Sequence, residues 1–367
     1  MKPKPVQVNS GRSRIDRLRL SFSKLRVDAF LVTHLPNVQY LCGFSGSAGA
    51  LLVETSRCTL ITDSRYAFQA REEVSDANVH IAKHGLLRGV AETLGRHRKR
   101  FPVAYGPSRV TVTQKATLQA LGGPQVRWGG DGDAVERLRA VKDPGELVLM
   151  REAAKLISDV FAGVLPEIKP GIAELTLAAE IEYAIKQKGG SGASFETIVA
   201  SGARSAWAHA RPTCKPLRKN ELVVLDQGAI LRGYCSDLTR TVFLGRAPAS
   251  VRRLYNAVLE AQGAARDAIR PGVEAGEVDA AARRALKRHG LARYFTHSTG
   301  HGLGIEVHEM PRLARGEKTV LEEGMVVTIE PGVYIQGLGG IRIEDDVVVT
   351  SKGAMDLTSA TREFLEL

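Results

Sequence analysis

The chain has 367 residues, of which 44% are hydrophobic and 25% charged, a composition typical of a globular protein with two domains. Its four cysteines include no CxxC pair, which argues against a disulfide framework or a thiolate zinc finger and favours a reducing compartment. We therefore expect a cytoplasmic protein. No apolar run approaches the ~18 residues of a membrane-spanning helix, and the N-terminus lacks a signal-peptide stretch, so no membrane association is expected.

The net charge of +11 is concentrated in residues 1–130, which contain 20 basic and 8 acidic residues. Residues 1–26 alone carry eight basic residues and one acid, a pattern shared by organellar transit peptides and by basic helix faces. Apolar residues recur there at helical spacing, which favours the helix. A basic surface also suits nucleic acid. Here the basic residues are scattered with few aromatic residues among them, so the sequence favours a solvated face and no nucleic-acid partner.

Residues 14–100 alternate between strand and helix patterns. Short apolar runs bounded by turn residues predict strands at 29–33, 50–53 and 59–62. Helical spacing predicts helices at 14–25, 65–73 and 109–121. Glycines cluster at 122–124 and again at 129–132, which predicts a domain boundary nearby. We therefore assign residues 1–135 to an α/β domain and residues 136–367 to a second domain.

The second domain begins with a strong helix start, because Asp143 is a good N-cap and Pro144 suits the first helical position. Helices are predicted at 146–165, 174–187, 250–269 and 278–289. Strands with glycine turns follow each pair of helices. The order of helix, helix and acidic strand pair therefore occurs once before residue 245 and once after it, which predicts an α+β domain with a loose internal repeat.

The first acidic strand pair contains Asp226 and Asp237. An apolar strand ends at Asp226, a turn follows at 232–233, and a second strand begins near Asp237. A hairpin centred on this turn places the two aspartates nearly opposite each other. Two carboxylates at that distance repel each other unless they are protonated or bridged by a cation. The alternative is that they are turn-flanking residues that cap their own backbone.

The second strand pair contains Glu330 and Glu344, which a hairpin centred near residue 338 brings close together. A glutamate in an apolar strand is costly unless it is paired or coordinated. Between the two hairpins lies a segment rich in histidine and glycine, residues 297–309, which includes His301. Four carboxylates and one imidazole suit a pair of Mn, Co, Fe or Zn ions. A water molecule bridging two such ions becomes hydroxide near neutral pH, and it would serve as the nucleophile.

These residues, in this order, resemble the pita-bread metallopeptidases, a family that includes methionine aminopeptidase, prolidase and Xaa-Pro aminopeptidase. The eleven-residue gap between the aspartates matches, and so do the motifs at 236–241, 297–304, 328–332 and 342–345. The N-terminal motifs at 37–47 and 60–66 are similar to the creatinase/prolidase-type N-terminal domain of bacterial Xaa-Pro aminopeptidases. Creatinase shares the fold but lacks the metal ligands, all five of which are present here.

The resemblance implies a role for each candidate residue. Asp226 would bind one metal ion bidentately, Asp237 and Glu344 would bridge both ions, and His301 and Glu330 would each bind one. Glu330 would also transfer protons, and His308 would stabilise the tetrahedral intermediate. His209 would lie on the opposite side of the pocket. His297 and Arg342 would line the pocket or support the metal ligands. The residues alone leave His209 open as a surface histidine and Arg342 as a neutraliser of a buried carboxylate.

The resemblance also implies a function, an Xaa-Pro aminopeptidase that hydrolyses the bond between an N-terminal residue and proline. Its expected cofactors are two divalent metal ions, Mn2+ first, with Co2+, Zn2+ and Fe2+ as alternatives. Its expected partners are a peptide with proline in the second position and a second copy of the chain in a homodimer. Two alternatives remain, a prolidase, which cleaves Xaa-Pro dipeptides and needs a counter-ion for their carboxylate, and a catalytically inactive binding module.

Overall fold

The computed structural model describes residues 13–130 and 132–367 and divides the chain into two compact units between Arg139 and Ala140. The first 12 residues, and with them part of the predicted basic segment, lie outside the described residues, as does Asp131 in the predicted boundary region. A boundary after residue 135 falls inside a helix. That helix belongs to the first unit, because Asn37 donates a hydrogen bond to Glu136 and accepts one from Arg139.

The first unit is a six-stranded sheet with helices. Its helices are α1 (Arg14–Arg19), α2 (Phe22–Leu25), α3 (Leu35–Cys42), α4 (Ala67–Glu73), α5 (Leu86–Leu94), α6 (Val112–Leu121) and α7 (Ala134–Ala140). Its strands are β1 (Ala29–Val32), β2 (Gly49–Glu54), β3 (Cys58–Thr62), β4 (Asn78–Ile81), β5 (Phe101–Tyr105) and β6 (Val126–Gly130), in the order β4-β3-β2-β1-β5-β6. Only the β1–β2 and β2–β3 pairs are antiparallel, so this is an α/β unit.

The three strands predicted in this unit are confirmed, and the first predicted helix is broken into α1 and α2. The predicted glycine-rich boundary is wrong in one respect, because the strand β6 occupies most of it and pairs in parallel with β5. The glycines lie in and around that strand. The sequence pattern missed β6 because Arg127 and the glycines interrupt its apolar residues.

The second unit contains four long helices and thirteen strands. The helices α8 (Pro144–Val164), α9 (Glu174–Gln187), α10 (Ala249–Ala268) and α11 (Ala275–Arg288) confirm the four predicted ones within three residues. Asp143 caps α8 in a capping box with Glu146, as its position before Pro144 predicts. The strands are β7 (Gly192–Ala193), β8 (Ile198–Ser201), β9 (Leu222–Gln227), β10 (Ala229–Leu231), β11 (Tyr234–Cys235), β12 (Leu238–Phe243), β13 (Gly300–Gly302), β14 (Glu309–Leu313), β15 (Val326–Ile329), β16 (Gly332–Ile335), β17 (Gly339–Arg342), β18 (Asp345–Thr350) and β19 (Gly353–Asp356).

The strands of this unit form small antiparallel sheets against which the helix pairs pack. The sheets are β12-β9-β8, β11-β10-β7, β14-β13-β15-β18-β19 and β16-β17. One apolar core joins α8 and α9 to β9 and β12, and another joins α10 and α11 to β15 and β18. The predicted repeat of two helices and a strand pair is therefore present. Among the described helices, none is long and apolar enough to cross a membrane.

Candidate metal centre

The first acidic hairpin is set by a two-residue turn. Arg232 and Gly233 both have positive φ, +50° and +87°, as a type I′ turn requires. The resulting register pairs Asp226 with Thr239, so the prediction that Asp226 faces Asp237 is wrong by two residues. Asp237 lies in the break between β11 and β12, staggered along the hairpin from Asp226. The two carboxylates still lie close enough for Asp226 to raise the pKa of Asp237.

The second acidic hairpin brings its two glutamates to the same level. Ile329 pairs with Asp345, and Gly332 pairs with Arg342, so Glu330 and Glu344 occupy corresponding positions in the break between the two ladders. The prediction that they lie close together across the hairpin is confirmed by this register. The negative charge of Glu330 contributes to raising the pKa of Glu344.

His301 joins the two hairpins. Its Nε2 lies 3.5 Å from Glu330 Oε1 and 3.8 Å from Asp237 Oδ2. The potential ligand atoms of Asp237, His301 and Glu344 all lie within 4.8 Å of one another. Because the Gly302 carbonyl accepts a hydrogen bond from Nδ1, the imidazole presents its unprotonated Nε2 to the carboxylates. Burial also lowers the pKa of His301 to about 4, so the ring is neutral near pH 7, the form that binds metal ions.

The acidic residues around His301 are buried close to one another, which makes their negative charges unfavourable. Burial raises the pKa of Asp237 and of Glu344 well above the usual range, and the neighbouring carboxylates raise both further. Burial also raises the pKa of Glu330 to about 8, against the opposing effect of Arg342. Asp226 Oδ1 and Asp237 Oδ1 are buried without a hydrogen-bond partner among the described residues. Divalent cations would compensate the charges and satisfy these oxygens, so the residues present fit a metal site.

Arg342 connects the two hairpins through its buried guanidinium. Its Nη2 donates to Asp226 Oδ2 at 2.6 Å, Nη1 donates to the Ala208 carbonyl and to the Tyr334 hydroxyl, and Nε donates to Thr239 Oγ1. Thr239 in turn donates to Glu344 Oε2 at 2.5 Å. Arg342 therefore neutralises a buried carboxylate, as one interpretation of the sequence holds, and it also fixes the orientation of Asp226.

His297 lies beside this network but its nitrogens are already bonded. Its Nδ1 donates to the Ser298 carbonyl at 2.8 Å, so its Nε2, 2.9 Å from the Tyr334 hydroxyl, accepts from that group. Burial, with a smaller effect of Arg342, lowers the pKa of His297 to about 4, while burial raises that of Tyr334 to about 12. Both groups are thus neutral near pH 7, and His297 supports the site through Tyr334.

Two further histidines and one arginine surround the cluster. The rings of His301 and His308 meet edge to face, with centroids 4.3 Å apart. Partial desolvation and the nearby His209 lower the pKa of His308, and His209 also contributes to lowering that of His297. His209 therefore lies near both, with its side chain exposed. Arg312 pairs with His301 across the β13–β14 ladder, which places their side chains on the same face.

The sequence did not single out four of these neighbours, Thr239, Tyr334, Arg312 and Asp346. Asp346 accepts the backbone N–H of Asp237 at 3.0 Å. Thr239 stands in the motif at 236–241, where strand alternation from Asp237 could have identified it, and Asp346 directly follows the motif at 342–345. Tyr334 and Arg312 lie in local strand pairs, eight residues from Arg342 and eleven from His301, but no sequence pattern distinguished them from other polar residues of these strands.

Buried carboxylates of raised pKa, a neutral imidazole and histidines at the rim are together typical of a metal-dependent hydrolase. Comparison with known families agrees, because residues 148–351 match metallopeptidase family M24 and residues 14–141 match the creatinase/prolidase N-terminal domain. The chain belongs to metallopeptidase family M24. The resemblance to the pita-bread metallopeptidases and the expected two-part fold are thereby confirmed.

Several proteins similar to this chain are named as proline peptidases. It is 35% identical to the Xaa-Pro dipeptidase of Pyrococcus furiosus, over 96% of this chain and 100% of that one. Its structure is similar to that of an Xaa-Pro dipeptidase from Bacillus anthracis, with a TM-score of 0.92, 36% identity and coverage of 96% and 99% of the two chains. It is also similar to an X-Pro aminopeptidase from Thermotoga maritima, with a TM-score of 0.89, 34% identity and coverage of 97% and 100%.

These comparisons confirm a metallopeptidase that depends on divalent metal ions. They do not confirm the aminopeptidase activity that the N-terminal motifs suggested, since dipeptidases predominate among these relatives. The choice of Mn2+, the homodimer and the cytoplasmic location remain predictions.

Proposed function

We propose that this chain is an Xaa-Pro dipeptidase whose Arg312 binds the C-terminal carboxylate of the dipeptide. The observation that carries this proposal is the position of Arg312, opposite His301 in the β13–β14 ladder and exposed. Among the described residues, the guanidinium of Arg312 has neither a hydrogen-bond nor an ion-pair partner. A guanidinium binds a carboxylate through two parallel hydrogen bonds, so Arg312 is suited to hold the end of a short substrate beside the metal ligands.

The names of the relatives support the same choice. The proteins of P. furiosus and B. anthracis are named Xaa-Pro dipeptidases. Aminopeptidase activity is the second candidate, because the T. maritima protein is named an X-Pro aminopeptidase at similar identity. The substrates of the two activities differ on the C-terminal side of proline. A dipeptide ends there in a carboxylate, whereas a longer peptide continues with a neutral amide that gives Arg312 no charge to bind.

We assign the metal site to Asp226, Asp237, His301, Glu330 and Glu344, with Mn2+ as the first candidate and Co2+, Zn2+ or Fe2+ as alternatives. Two divalent ions there would polarise the scissile carbonyl and lower the pKa of a water molecule. Cleavage expels the prolyl nitrogen as an amine, so this nitrogen must gain a proton as the bond breaks. Glu330 would carry this proton, because its carboxylate lies among the proposed ligands, 3.5 Å from His301 Nε2.

The remaining residues position the substrate. Neutral His308 can donate an N–H to the scissile carbonyl oxygen from the side of His301, with His209 nearby. Arg342, Tyr334 and His297 hold Asp226 and the adjacent backbone in place. The homodimer implied by the family resemblance remains a prediction, and analytical ultracentrifugation would test it.

The proposal is tested by comparing three substrates after loading with Mn2+, with and without a chelator. These are an Xaa-Pro dipeptide, the same dipeptide as its C-terminal amide, and an Xaa-Pro-Xaa tripeptide. A dipeptidase cleaves the dipeptide in a chelator-sensitive reaction and acts poorly on the other two. Preferential release of the first residue from the tripeptide would establish the aminopeptidase instead. Inactivity on all three, with no bound metal, would favour a binding module.

The role of Arg312 is tested by Arg312→Met. Loss of the guanidinium should lower kcat/KM for the dipeptide by about tenfold or more, mainly through KM, because one charged hydrogen-bonding partner of the substrate is removed. Activity on the dipeptide amide should stay within about twofold. Arg315→Met, at an exposed arginine three residues further along, is the matched control. An equal loss on both substrates would remove Arg312 from carboxylate recognition.

A further inference from the structure

One loop beside the metal centre carries two exposed side chains of potential use to a substrate. This segment, residues 201–213, begins at the end of β8 and is called the His209 loop below. It contains a 3-10 helix, Gly202–Ala206, followed by a turn in which the Ala210 N–H donates to the Trp207 carbonyl. Trp207 is 61% exposed, and His209 is exposed as well.

Both ends of the His209 loop are held by one carboxylate, that of Glu174 at the first position of α9. Glu174 is fully buried, and its Oε1 accepts the backbone N–H and the hydroxyl of Ser201, at 2.9 Å and 2.8 Å. Its Oε2 accepts from Arg204 Nε at 3.1 Å and from the N–H and hydroxyl of Thr213, at 3.2 Å and 2.8 Å. A carboxylate has about four acceptor positions, so all of them are occupied.

The inner side of the His209 loop is attached to the metal centre. Arg342, which holds Asp226, also donates to the Ala208 carbonyl at 3.0 Å. The Gly340 N–H donates to Ser205 Oγ at 2.8 Å. The loop that carries His209 is therefore fixed on one side by the arginine of the site and on the other by Glu174.

We propose that Glu174 is a positioning residue for the reaction, which acts by holding His209 at the rim of the substrate site. This inference rests on the proposed function, since it concerns how a substrate is bound. The N-terminus of α9 does not by itself require a buried carboxylate that accepts five hydrogen bonds from one loop. Glu174 itself lies outside the metal cluster and has no contact with its ligands among the described residues.

Trp207 provides a direct measure of the loop. The chain has two tryptophans, and the other, Trp128, lies in β6 of the first unit. In a Trp128→Phe background, fluorescence therefore reports only Trp207, whose ring lies against the guanidinium of Arg204 at 4.9 Å. This measurement needs neither metal nor substrate, so its result does not depend on the proposed activity.

The first experiment introduces Glu174→Gln into that background and measures acrylamide quenching and fluorescence anisotropy. An amide replaces one acceptor oxygen with a donor, so either Ser201 or Arg204 and Thr213 lose their partner. We expect faster quenching and lower anisotropy. Glu366→Gln is the matched control, because Glu366 also accepts a backbone N–H and an arginine, those of Ala247 and Arg252. Unchanged fluorescence in a folded Glu174→Gln protein would overturn the proposal.

The second experiment measures whether Glu174 acts through His209. Glu174→Gln should lower kcat/KM by about tenfold, mostly through KM, since small displacements of a substrate-binding group reduce productive binding. In a His209→Ala background the same substitution should have little further effect, whereas additive losses would overturn the proposal. If Glu174→Gln does not fold, Thr213→Val takes its place, because it removes one hydroxyl from the same hydrogen-bond network. We expect Thr213→Val to have little further effect in the His209→Ala background as well. If the unsubstituted chain cleaves no Xaa-Pro peptide, the proposed function fails, while the fluorescence result still decides the role of Glu174.

Discussion

The two acidic hairpins of the second unit place their carboxylates in different ways. In the first, a tight turn at Arg232 and Gly233 leads to a register that pairs Asp226 with Thr239, so the two aspartates are staggered along the hairpin. In the second, the ladder is interrupted, and Glu330 and Glu344 face each other in the interruption. Both ladders are interrupted and keep their register across the break, so the difference lies in the register itself, which leaves the aspartates two positions apart and sets the glutamates opposite each other.

The difference has a consequence for the metal centre, because neither hairpin could form it alone. Asp226 is held by Arg342 from the second hairpin, and Glu344 is held by Thr239 from the first. Each hairpin therefore orients a carboxylate of the other. The contacts between the hairpins, more than the pairing within either one, determine where the ligand atoms meet.

Removing one carboxylate at the meeting point of the hairpins should have the greatest consequence. Asp237→Asn should lower the hydrolysis rate by about a thousandfold, because the variant would lose the carboxylate proposed to bridge both ions. The metal-free variant should be at least as stable as the unsubstituted protein, since it no longer buries a costly charge. Activity assays, metal analysis and thermal unfolding would check this, with the exposed Asp267→Asn as control. Retention of more than about a tenth of the activity would remove Asp237 from the metal site.

A smaller effect is expected when the link between the hairpins is weakened. Arg342→Lys keeps the charge, but a single ammonium cannot contact Asp226, Thr239, Tyr334 and the Ala208 carbonyl together. Metal affinity, measured by calorimetry, should fall about 10- to 100-fold, and kcat/KM should fall with it. Arg252→Lys, in a half-exposed ion pair with Glu366, is the control. If Arg342→Lys binds metal as tightly as the unsubstituted protein does, the hairpins are held together by other contacts.

A more modest change is expected in stability, and it depends on pH. In the metal-free folded protein, burial raises the pKa of Glu330 to about 8, whereas the unfolded chain releases that proton near its ordinary value of 4.5. The folded state therefore holds the extra proton, and its stability must fall as the pH rises between these values. His297 and His301 oppose this trend below pH 6.5, because burial lowers their pKa values to about 4 and the unfolded chain then holds the extra proton. Above pH 6.5 both histidines are neutral in the folded and the unfolded state, so this opposition ends.

From pH 6.5 to 8 the loss should be about 2 kcal/mol from Glu330, with Asp237 and Glu344 acting in the same direction. Denaturant unfolding at several pH values would measure it. Glu330→Gln should reduce the slope, and saturating Mn2+ should restore stability at pH 8. A metal-free protein that becomes more stable over this range would contradict the charge arrangement described for the second hairpin.

Much of the second unit could be predicted from local patterns. The four helices follow from apolar spacing and from the capping residue Asp143, and the register of the second hairpin follows from its glycine turn. The first hairpin was misplaced by two residues, because the turn was recognised but its exact central pair was not used to fix the register. In the first unit, β4, β5 and β6 were missed because polar residues, a proline or glycines interrupt their apolar residues.

The candidate ligands could be identified without any structure, since acids within apolar strands and a histidine among glycines are costly without a partner. How these ligands are supported depends on the folded chain. Arg342 reaches Asp226 across 116 residues, Tyr334 reaches His297 across 37 residues, and Glu174 reaches the His209 loop across 27 residues. Such contacts arise when helices and sheets pack around a common core, and local periodicity carries no information about them.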